Sequence, residues 1–338
     1  MKNNLIIDES KLMRAIRESY GLEITDLQFL LRGWGGDCYR ADTLAGTPWF
    51  LKVFDPVAHQ NSVASSRAFY LPLMHELHDR GILPNIPHPL PTQEGDFSLK
   101  IGSNELVITN FINGNVVGFG KLPDPIVAQL AGLVGTLHNC RAQLEFEQPF
   151  IDQFEISFEH VLLQSFEILA ALDENATPGQ LLLRQTVLPR QTEIVTALQE
   201  LKKLQAVARE STKPKVICHT DLHGANLMTD AEGRLYILDW ENALIAPPEH
   251  DLIFYAGESN FWEVFWPPYE RQFPAAGIDP QMLSFYLYRR ALEDIADFIL
   301  RILRVPDRFE RDQEDIQWML ECLNGIENIE TTISGLTN

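Results

Sequence analysis

The spacing of the apolar residues changes near residue 113, and this change limits the folds open to the chain. Before it, "LQFLLRG", "CYRADT" and "PWFLKVF" alternate as strands do, and "DFSLKI" with "ELVITNF" predicts a second hairpin around "GSN". After it, apolar residues recur at helical spacing. We therefore predict an α+β fold with two lobes, a small antiparallel-sheet lobe over residues 1–112 and a larger helical lobe over 113–338.

Apolar stripes predict where the helices lie. One amphipathic helix precedes the strands at residues 8–20, and another, interrupted by Pro72, covers 63–80. Asp124 followed by Pro125 is a helix start signal. Further helices are predicted at 155–172, at 178–208 with Pro189 inside it, at 281–303 and at 308–326.

Composition excludes several classes of partner. The formal net charge of -20 argues against nucleic acid or an anionic membrane surface, since both are bound through excess Lys and Arg. A cationic partner is compatible with this charge but not required by it. Apolar runs are short and no signal-peptide core follows the start, so we expect a cytoplasmic protein. The four scattered cysteines, without C-x-x-C spacing, predict reduced thiols. No pattern indicates the oligomeric state.

The segment "CHTDLHGANL", residues 218–227, concentrates polar side chains. Three interpretations compete: a zinc site on His219, Asp221 and His223, a catalytic base beside an amide metal ligand, or a polar turn without chemistry.

The residues that follow favour the second interpretation. "LMTDAEGRLYILDW" predicts two short strands around the turn "DAEG". If Thr229 and Arg234 flank this turn, Asn226 lies opposite Ile237, and Asp239 points to the same face. Such diagonal neighbours are about 7–8 Å apart, so an amide oxygen and a carboxylate could share one Mg²⁺. Phosphoryl transfer requires this set together with a carboxylate base.

At this point the sequence resembles a known family. His219, Asp221 and Asn226 fit the H-x-D-x-x-x-x-N catalytic loop, and "ILDW" at 237–240 occupies the place of the metal-binding segment of kinases. The chain thereby resembles the aminoglycoside phosphotransferase and choline kinase family, which has a protein-kinase-like fold. Within it, "YILDWENALIAPPEHDLIF" and "YRRALEDIADF" are most similar to the spectinomycin phosphotransferases.

The resemblance implies roles for individual residues. Asp221 is the implied catalytic base, Asn226 and Asp239 are the implied Mg²⁺ ligands, and Lys52 in "FLKVF" is implied to contact the nucleotide phosphates. Two further segments are implied to bind the nucleotide: the adenine connector, made of Thr109, Asn110, Phe111 and Ile112, and a phosphate-covering loop with Gly33, Gly35 and Gly36. The loop "GWGGD" departs from G-x-G-x-x-G.

A second departure concerns the partner of Lys52. Kinase-like folds pair this lysine with a helix glutamate, but no acidic residue lies between Val57 and His75. Two interpretations stay open: Glu76 reaches Lys52 through an altered helix, or the lysine is oriented differently. His219 is expected to brace the loop, because Asp221 already serves as the base.

The resemblance also implies a reaction. It is the ATP- or GTP-dependent phosphorylation of a hydroxyl on a small molecule, an aminoglycoside or aminocyclitol such as spectinomycin, and hence antibiotic resistance. Glu293, Asp294 and Asp297 either hold substrate ammonium groups or form a solvated face. In the aromatic stretch 254–270, Trp262 and Trp266 belong either to the core or to a substrate wall.

Three alternatives remain at this stage. The acceptor could be a metabolite such as choline, homoserine or a sugar amine, or a protein Ser/Thr. The chain could instead bind nucleotides without catalysis, as the missing helix glutamate suggests. Zinc-dependent hydrolysis is the third.

Overall fold

A five-stranded antiparallel sheet forms the N-terminal part of the protein. The computed structural model describes residues 7–32, 36–54, 63–304 and 309–337. Within these ranges the sheet has the order β1-β2-β3-β5-β4. Its strands are β1 (Ile24–Arg32), β2 (Gly36–Thr43), β3 (Trp49–Phe54), β4 (Leu99–Ile101) and β5 (Asn104–Asn110). The segments "CYRADT" and "PWFLKVF" pair as β2 and β3, and the predicted hairpin around "GSN" forms as β4 and β5.

Most of the remaining described residues are helical, which confirms the α+β class. The helices are α1 (Glu9–Tyr20), α2 (Val63–Asp79), α3 (Asp124–Asn139), α4 (Glu159–Ala170), α5 (Pro178–Val187), α6 (Gln191–Glu210), α7 (Glu249–Leu252), α8 (Trp266–Gln272), α9 (Pro280–Arg304) and α10 (Phe309–Thr337). None of the helices in the described ranges is long and apolar enough to cross a membrane.

Five further short strands build two small sheets. In one, β6 (Asn115–Val116), β8 (Leu227–Thr229) and β9 (Leu235–Ile237) pair in the order β6-β8-β9. In the other, β7 (Val216–Cys218) pairs antiparallel with β10 (Leu244–Ala246). These strands hold the segment 218–240 at both of its ends.

The chain divides into two compact units. The first contains the described residues of Met1–Ile151, Val216–Ala246 and Trp262–Ala276, and the second those of Asp152–Lys215, Pro247–Phe261 and Gly277–Asn338. The predicted lobe boundary between residues 112 and 113 stays a prediction.

In the first unit, α1 packs against the sheet. Asp8 caps the helix by accepting a hydrogen bond from the Lys11 N–H at 3.1 Å, and Gly21 ends it with φ 67°. The shared core consists of Leu12, Ile16, Tyr20, Tyr39, Leu51, Val53, Leu106 and Ile108, among others. Each fully buried Leu or Ile contributes about 1.5–3 kcal/mol, so this cluster stabilises the strand that carries Lys52.

In the second unit, α4, α5, α6, α9 and α10 share one hydrophobic core. The predicted helix over 178–208 is wrong as a single element: α5 ends at Val187, and a 3₁₀ turn, Leu188–Arg190, precedes α6. Pro189 explains the break, since it has no N–H for the helical ladder and its ring clashes with the preceding turn. Helix α10 runs further than the predicted end at 326.

Candidate active site

The hairpin β8–β9 presents its polar residues in a register one position away from the expected one. Leu227 pairs with Ile237 and Thr229 with Leu235, so Thr229 does not face Arg234 as predicted. Asp230 instead closes the turn, where its N–H donates to the Arg234 carbonyl at 3.1 Å and its carboxylate accepts from the Arg234 side chain. These contacts to Asp230 account for the shift.

In the observed register, Asn226 lies opposite Leu238, the residue before Asp239. The Leu238 N–H donates to the Asn226 carbonyl at 2.8 Å, so Asp239 follows directly after the residue bonded to Asn226. The predicted placement of Asn226 opposite Ile237 is wrong by one residue.

Asn226 is tied to Asp221 by its amide group. Its Nδ2 donates to the Asp221 carbonyl at 2.8 Å and to the Asp221 Oδ2 at 3.0 Å. The nitrogen is thereby committed to the neighbouring loop, while the Asn226 Oδ1 remains available as an oxygen ligand. A single side chain can thus position a carboxylate and serve a cation.

His219 holds the loop through hydrogen bonds to backbone groups. It is fully buried; its Nε2 lies 2.8 Å from the Leu238 carbonyl, and its Nδ1 accepts from the Asp221 N–H at 3.3 Å. Both ring nitrogens therefore serve the backbone, which agrees with the predicted structural role. The zinc alternative loses its support, because among the described residues His219, Asp221 and His223 do not converge into a metal-binding group.

Two non-glycine residues of this region have left-handed backbone conformations. Thr220 has φ 73° and Asp239 has φ 58°. Such conformations cost about 1–3 kcal/mol each and persist only where the surroundings impose them. The Thr220 hydroxyl donates to the Asn242 carbonyl at 3.1 Å, and Trp240 next to Asp239 is buried against His219. The strain falls on Asp239 itself and on Thr220, the residue before Asp221.

Lys52 reaches into this region from β3. Its ammonium group lies 3.5 Å from the Asp239 Oδ1 and contacts the Glu241 Oε1 more closely. Lys52 and Glu241 are each 16% exposed, whereas Asp239 is 48% exposed. Desolvation lowers the pKa of Lys52, but Asp239 and Glu241 outweigh it and raise that pKa above its ordinary value.

The Lys52 partner is therefore Glu241, which lies in the 3₁₀ turn Trp240–Asn242. Glu76 lies 3.9 Å from Arg80 on the exposed face of α2, so the interpretation that Glu76 reaches Lys52 is wrong. Burial raises the pKa of Glu241, and Lys52 offsets this only in part because Asp239 repels the same charge. Sequence reasoning missed Glu241, although "DWE" places an acid two residues after Asp239.

Helix α2 presents a cation where an acid was expected. The Arg67 guanidinium lies 2.6 Å from the Glu105 carboxylate and 4.8 Å from the centre of the Phe54 ring. Nearby, the buried Tyr70 has a pKa well above its ordinary value because of burial, followed by the charge of Glu241. Glu105 on β5 thus pairs with this cation of α2, while Glu241 after β9 pairs with Lys52.

His223 is a further residue beside Asp221. Its Nε2 lies 3.4 Å from the Asp221 Oδ2 and 3.4 Å from the Asn226 Nδ2. The ring of Phe119, which is 65% exposed, lies 5.2 Å from the His223 ring. From the sequence we considered His223 only as a metal ligand, whereas in the structure it lies against the Asp221 carboxylate.

Gly224 permits the close approach that holds this loop. The Gly118 N–H donates to the Gly224 carbonyl at 3.0 Å, and a Cβ on Gly224 would lie 2.1 Å from the Gly118 carbonyl oxygen. Only glycine fits at that distance. The chain that carries Asp221 is therefore clamped against residues 117–118.

The predicted adenine connector leaves the end of β5. Asn110 accepts from the His88 N–H at 2.6 Å and donates its own N–H to the His88 carbonyl at 3.2 Å. Thr109 is buried, and the Phe111 ring lies 4.9 Å beneath the Arg40 guanidinium. Ile112 follows without regular structure. Its contact with adenine stays a prediction.

The predicted phosphate-covering loop is only partly described. Gly33 and Gly35 lie outside the described residues. Gly36 begins β2, where a Cβ would lie 2.0 Å from the Val53 carbonyl oxygen. That position requires glycine for close strand packing, whatever its role toward phosphate.

The predicted acceptor residues lie apart in the chain. Trp262 is 44% exposed and packs edge to face on Trp266 at 5.1 Å, while Tyr269 is buried and bonded to His138 at 2.8 Å. Tyr269, which lies in the same aromatic stretch, therefore belongs to the core. On α9, in the second unit, Arg290 pairs with Asp294 at 2.8 Å. Desolvation and neighbouring acids raise the pKa values of the two other carboxyls, Glu293 and Asp297, although both side chains keep contact with solvent.

A match to a family model decides the class of the protein. The model described as the phosphotransferase enzyme family matches residues 26–286, well over half of the chain. The chain belongs to the phosphotransferase enzyme family. Its members transfer phosphate to hydroxyl groups, so the protein is a small-molecule phosphotransferase, as the sequence predicted.

Solved structures of phosphotransferases share the fold over nearly the whole chain. A spectinomycin phosphotransferase in complex with ADP and spectinomycin is 19% identical, with a TM-score of 0.74 over 95% of this chain and 98% of that chain. An amicoumacin kinase in complex with AMP-PNP and Ca²⁺ is 14% identical, with a TM-score of 0.64 and coverages of 96% and 94%. Choline kinase from Cryptosporidium parvum is 15% identical, with a TM-score of 0.60 and coverages of 98% and 100%. The protein-kinase-like fold is confirmed.

Proposed function

We propose that this phosphotransferase uses Mg²⁺ with ATP or GTP to phosphorylate a hydroxyl of an aminoglycoside or aminocyclitol such as spectinomycin. The bound ADP, AMP-PNP and Ca²⁺ of the structural neighbours support a nucleotide and a divalent cation. The local likeness of residues 216–300 to spectinomycin phosphotransferases supports the acceptor class.

One observation carries the proposal. The Asn226 Nδ2 binds both the backbone carbonyl and the carboxylate of Asp221, which orients the carboxylate and leaves the amide oxygen for a cation. The same unit contains Asp239 with Lys52 beside it. A base, two oxygen ligands and a phosphate-binding cation form the set that phosphoryl transfer requires.

In the proposed reaction, the γ-phosphoryl group moves from the nucleotide to the acceptor hydroxyl. The acceptor oxygen forms a bond to the γ-phosphorus, the bond from that phosphorus to the β,γ-bridging oxygen breaks, and ADP leaves. The acceptor proton passes to the Asp221 carboxylate, which His223 and Asn226 hold in place. Lys52 offers a fixed positive charge to the phosphates, because its two acidic partners keep it protonated.

The residues present fit a magnesium ion. Asp239 contributes a half-exposed carboxylate and Asn226 an amide oxygen, the hard ligands that Mg²⁺ prefers alongside phosphate oxygens. Bound Mg²⁺ would supply charge neutralisation on the nucleotide phosphates. With a cation bound, the Asp239 carboxylate would also attract the Lys52 ammonium group less strongly.

The acceptor end of the proposal rests on side chains outside the catalytic loop. On α9, Glu293, Asp294 and Asp297 are proposed to favour a cationic acceptor. Separately, Trp262 and Trp266 are proposed to form an aromatic surface for an acceptor. We place the enzyme in the cytoplasm, where ATP is abundant, and propose antibiotic resistance as the consequence of its activity. Nucleic acid and anionic membrane surfaces are not proposed as partners, because a protein with a net charge of -20 is repelled by both.

An ADP-release assay tests the proposal. Wild type and Asp239→Asn are supplied with Mg²⁺-ATP or Mg²⁺-GTP and a panel of acceptors: spectinomycin, a kanamycin-type aminoglycoside, amicoumacin, choline, aminopropanol and homoserine. We expect spectinomycin to stimulate ADP release in the wild type and Asp239→Asn to abolish it.

The other outcomes separate the alternatives. Stimulation by choline, aminopropanol or homoserine alone would replace the acceptor while keeping the kinase mechanism. Nucleotide binding without stimulation by any acceptor would favour a non-catalytic nucleotide-binding protein or an acceptor outside the panel. Neutralising Asp294 and Asp297 together should weaken the binding of a cationic acceptor and leave the binding of a neutral acceptor unchanged.

A further inference from the structure

Three histidines and an aspartate gather at the end of α2, away from the catalytic loop in sequence. His75, His78 and Asp79 lie on the last turns of the helix, and His88 lies on the segment that leads to β4. The sequence "HELHDRGILPNIPH" supplies all four side chains. None of them has a part in the proposed phosphoryl transfer.

The ligand atoms are close together. The Asp79 carboxylate lies 3.3 Å from the His75 Nε2 and 3.1 Å from the His88 Nε2. The His75 Nδ1 and the His88 Nε2 are 3.0 Å apart, and the planes of these two rings differ by 16°. One ligand atom from each of the three residues lies within 4.8 Å of the others.

We propose that His75, Asp79 and His88 form a binding site for a divalent transition-metal ion of the zinc type. Zinc bonds of about 2.0–2.2 Å in a tetrahedral arrangement place ligand atoms about 3.3–3.5 Å apart, close to the separations from Asp79. Two imidazoles with one carboxylate suit Zn²⁺ better than Mg²⁺, which prefers oxygen ligands. The site is therefore chemically distinct from the pair Asn226 and Asp239.

His78 has a different part from the other two histidines. Its ring is stacked on that of His88, with centroids 4.0 Å apart and planes 8° from parallel. His78 is not among the three residues whose ligand atoms converge. Its buried Nδ1 has no hydrogen-bond partner among the described residues and lies 3.8 Å from Asp79.

The backbone holds His88 in place for this role. Its N–H and its carbonyl both pair with Asn110 at the end of β5, at 2.6 and 3.2 Å. An ion here would link the end of α2 to the strand that enters the predicted adenine connector.

A Zn²⁺ titration of the full chain tests the site. The protein is stripped with a chelator and titrated with Zn²⁺ against a chromophoric competitor, in excess Mg²⁺ so that oxygen-ligand sites are occupied. Wild type is compared with His75→Gln and His88→Gln. His78→Phe keeps a stacked ring without nitrogens, and His160→Gln removes an exposed histidine of α4.

We expect the wild type to bind Zn²⁺ and to melt at a higher temperature with it. His75→Gln and His88→Gln should bind at least about tenfold more weakly, since loss of a mere supporting partner already costs about 10–100-fold. His78→Phe and His160→Gln should stay near the wild type. Equal Zn²⁺ affinity in wild type and His88→Gln would overturn the site, as would equal losses in His88→Gln and His160→Gln. The four side chains would then be a hydrogen-bonded cluster only.

Discussion

The ammonium group of Lys52 contacts the carboxylate of Glu241, a residue that follows Asp239 by two positions. Lys52, the residue proposed to contact the nucleotide phosphates, is thus held from the segment that follows β9 rather than from α2. Because Asp239, the proposed Mg²⁺ ligand, directly precedes the turn that contains Glu241, we expect a change in that turn to affect the proposed metal site and Lys52 together.

Removing the Glu241 charge should therefore impair nucleotide use. In Glu241→Gln, Asp239 is the one ionic partner left to Lys52 among the described residues, and Lys52 competes with the cation for it. We expect kcat/KM for ATP to fall about tenfold or more, equivalent to about 1.4 kcal/mol of transition-state stabilisation. ADP release measured against ATP concentration gives this value.

Glu76→Gln is the matched control, because Glu76 lies on α2 beside Arg80. Its kinetics should match the wild type within about twofold. If Glu76→Gln lost as much activity as Glu241→Gln, the assignment of the lysine partner would be wrong.

Asp221→Asn should separate catalysis from binding. The amide has nearly the shape of the carboxylate but cannot take up the acceptor proton, and general-base catalysis contributes about 10²–10⁴-fold. We expect kcat to fall within that range while ATP affinity, measured by calorimetry, changes little. Turnover close to the wild-type rate would reject Asp221 as the base.

Gly224→Ala should loosen the catalytic loop. The added methyl group meets the Gly118 carbonyl oxygen at 2.1 Å, a backbone atom that cannot rotate away. Overpacking of this kind costs about 1–3 kcal/mol, so we expect a lower free energy of unfolding and a loss of turnover.

Gly132→Ala provides the comparison. Gly132 lies inside α3, and a Cβ there meets nothing within 4 Å. Alanine in a helix should raise stability by about 0.5–1 kcal/mol and leave activity intact. Urea denaturation of both variants measures the difference, and destabilisation of the two to the same extent would contradict the steric account.

Glu249 should make the stability of the protein depend on pH. Burial raises its pKa from the ordinary 4.5 to about 7, although its carboxylate accepts a hydrogen bond from the Asp279 N–H at 2.7 Å. Between those values the folded state binds more protons than the unfolded state, so stability falls as pH rises. The penalty is absent below 4.5 and complete above about 7, where it amounts to about 3 kcal/mol.

Glu249→Gln removes that charge while keeping an oxygen for the Asp279 N–H. The gain in unfolding free energy over the wild type should grow from about pH 5 to about pH 8. Denaturant unfolding at several pH values measures this gain, with Glu210→Gln as the control, since Glu210 is an exposed acid of α6. A gain that is constant with pH would show that Glu249 does not titrate in this range.

Local patterns allowed much of this protein to be predicted. The strand alternation before residue 113 and the helical stripes after it predict the α+β class, because side-chain periodicity follows from backbone geometry. The spacing of His219, Asp221 and Asn226 predicts a catalytic loop, since these residues lie within eight consecutive positions. Pro189 marked a helix boundary that the predicted span nevertheless crossed.

Other features depended on contacts between distant segments. Lys52 and Glu241 are 189 residues apart, and only the folded sheet brings them together. The hairpin register shifted by one because Asp230 and Arg234 close the turn with their own hydrogen bonds. His88 joins His75 through a loop anchored on Asn110. Periodicity and residue spacing predict the class of the fold and the proposed catalytic loop, because both depend on residues close together in the chain. Which charges meet depends instead on how the strands and helices pack, because the partners lie far apart in the chain.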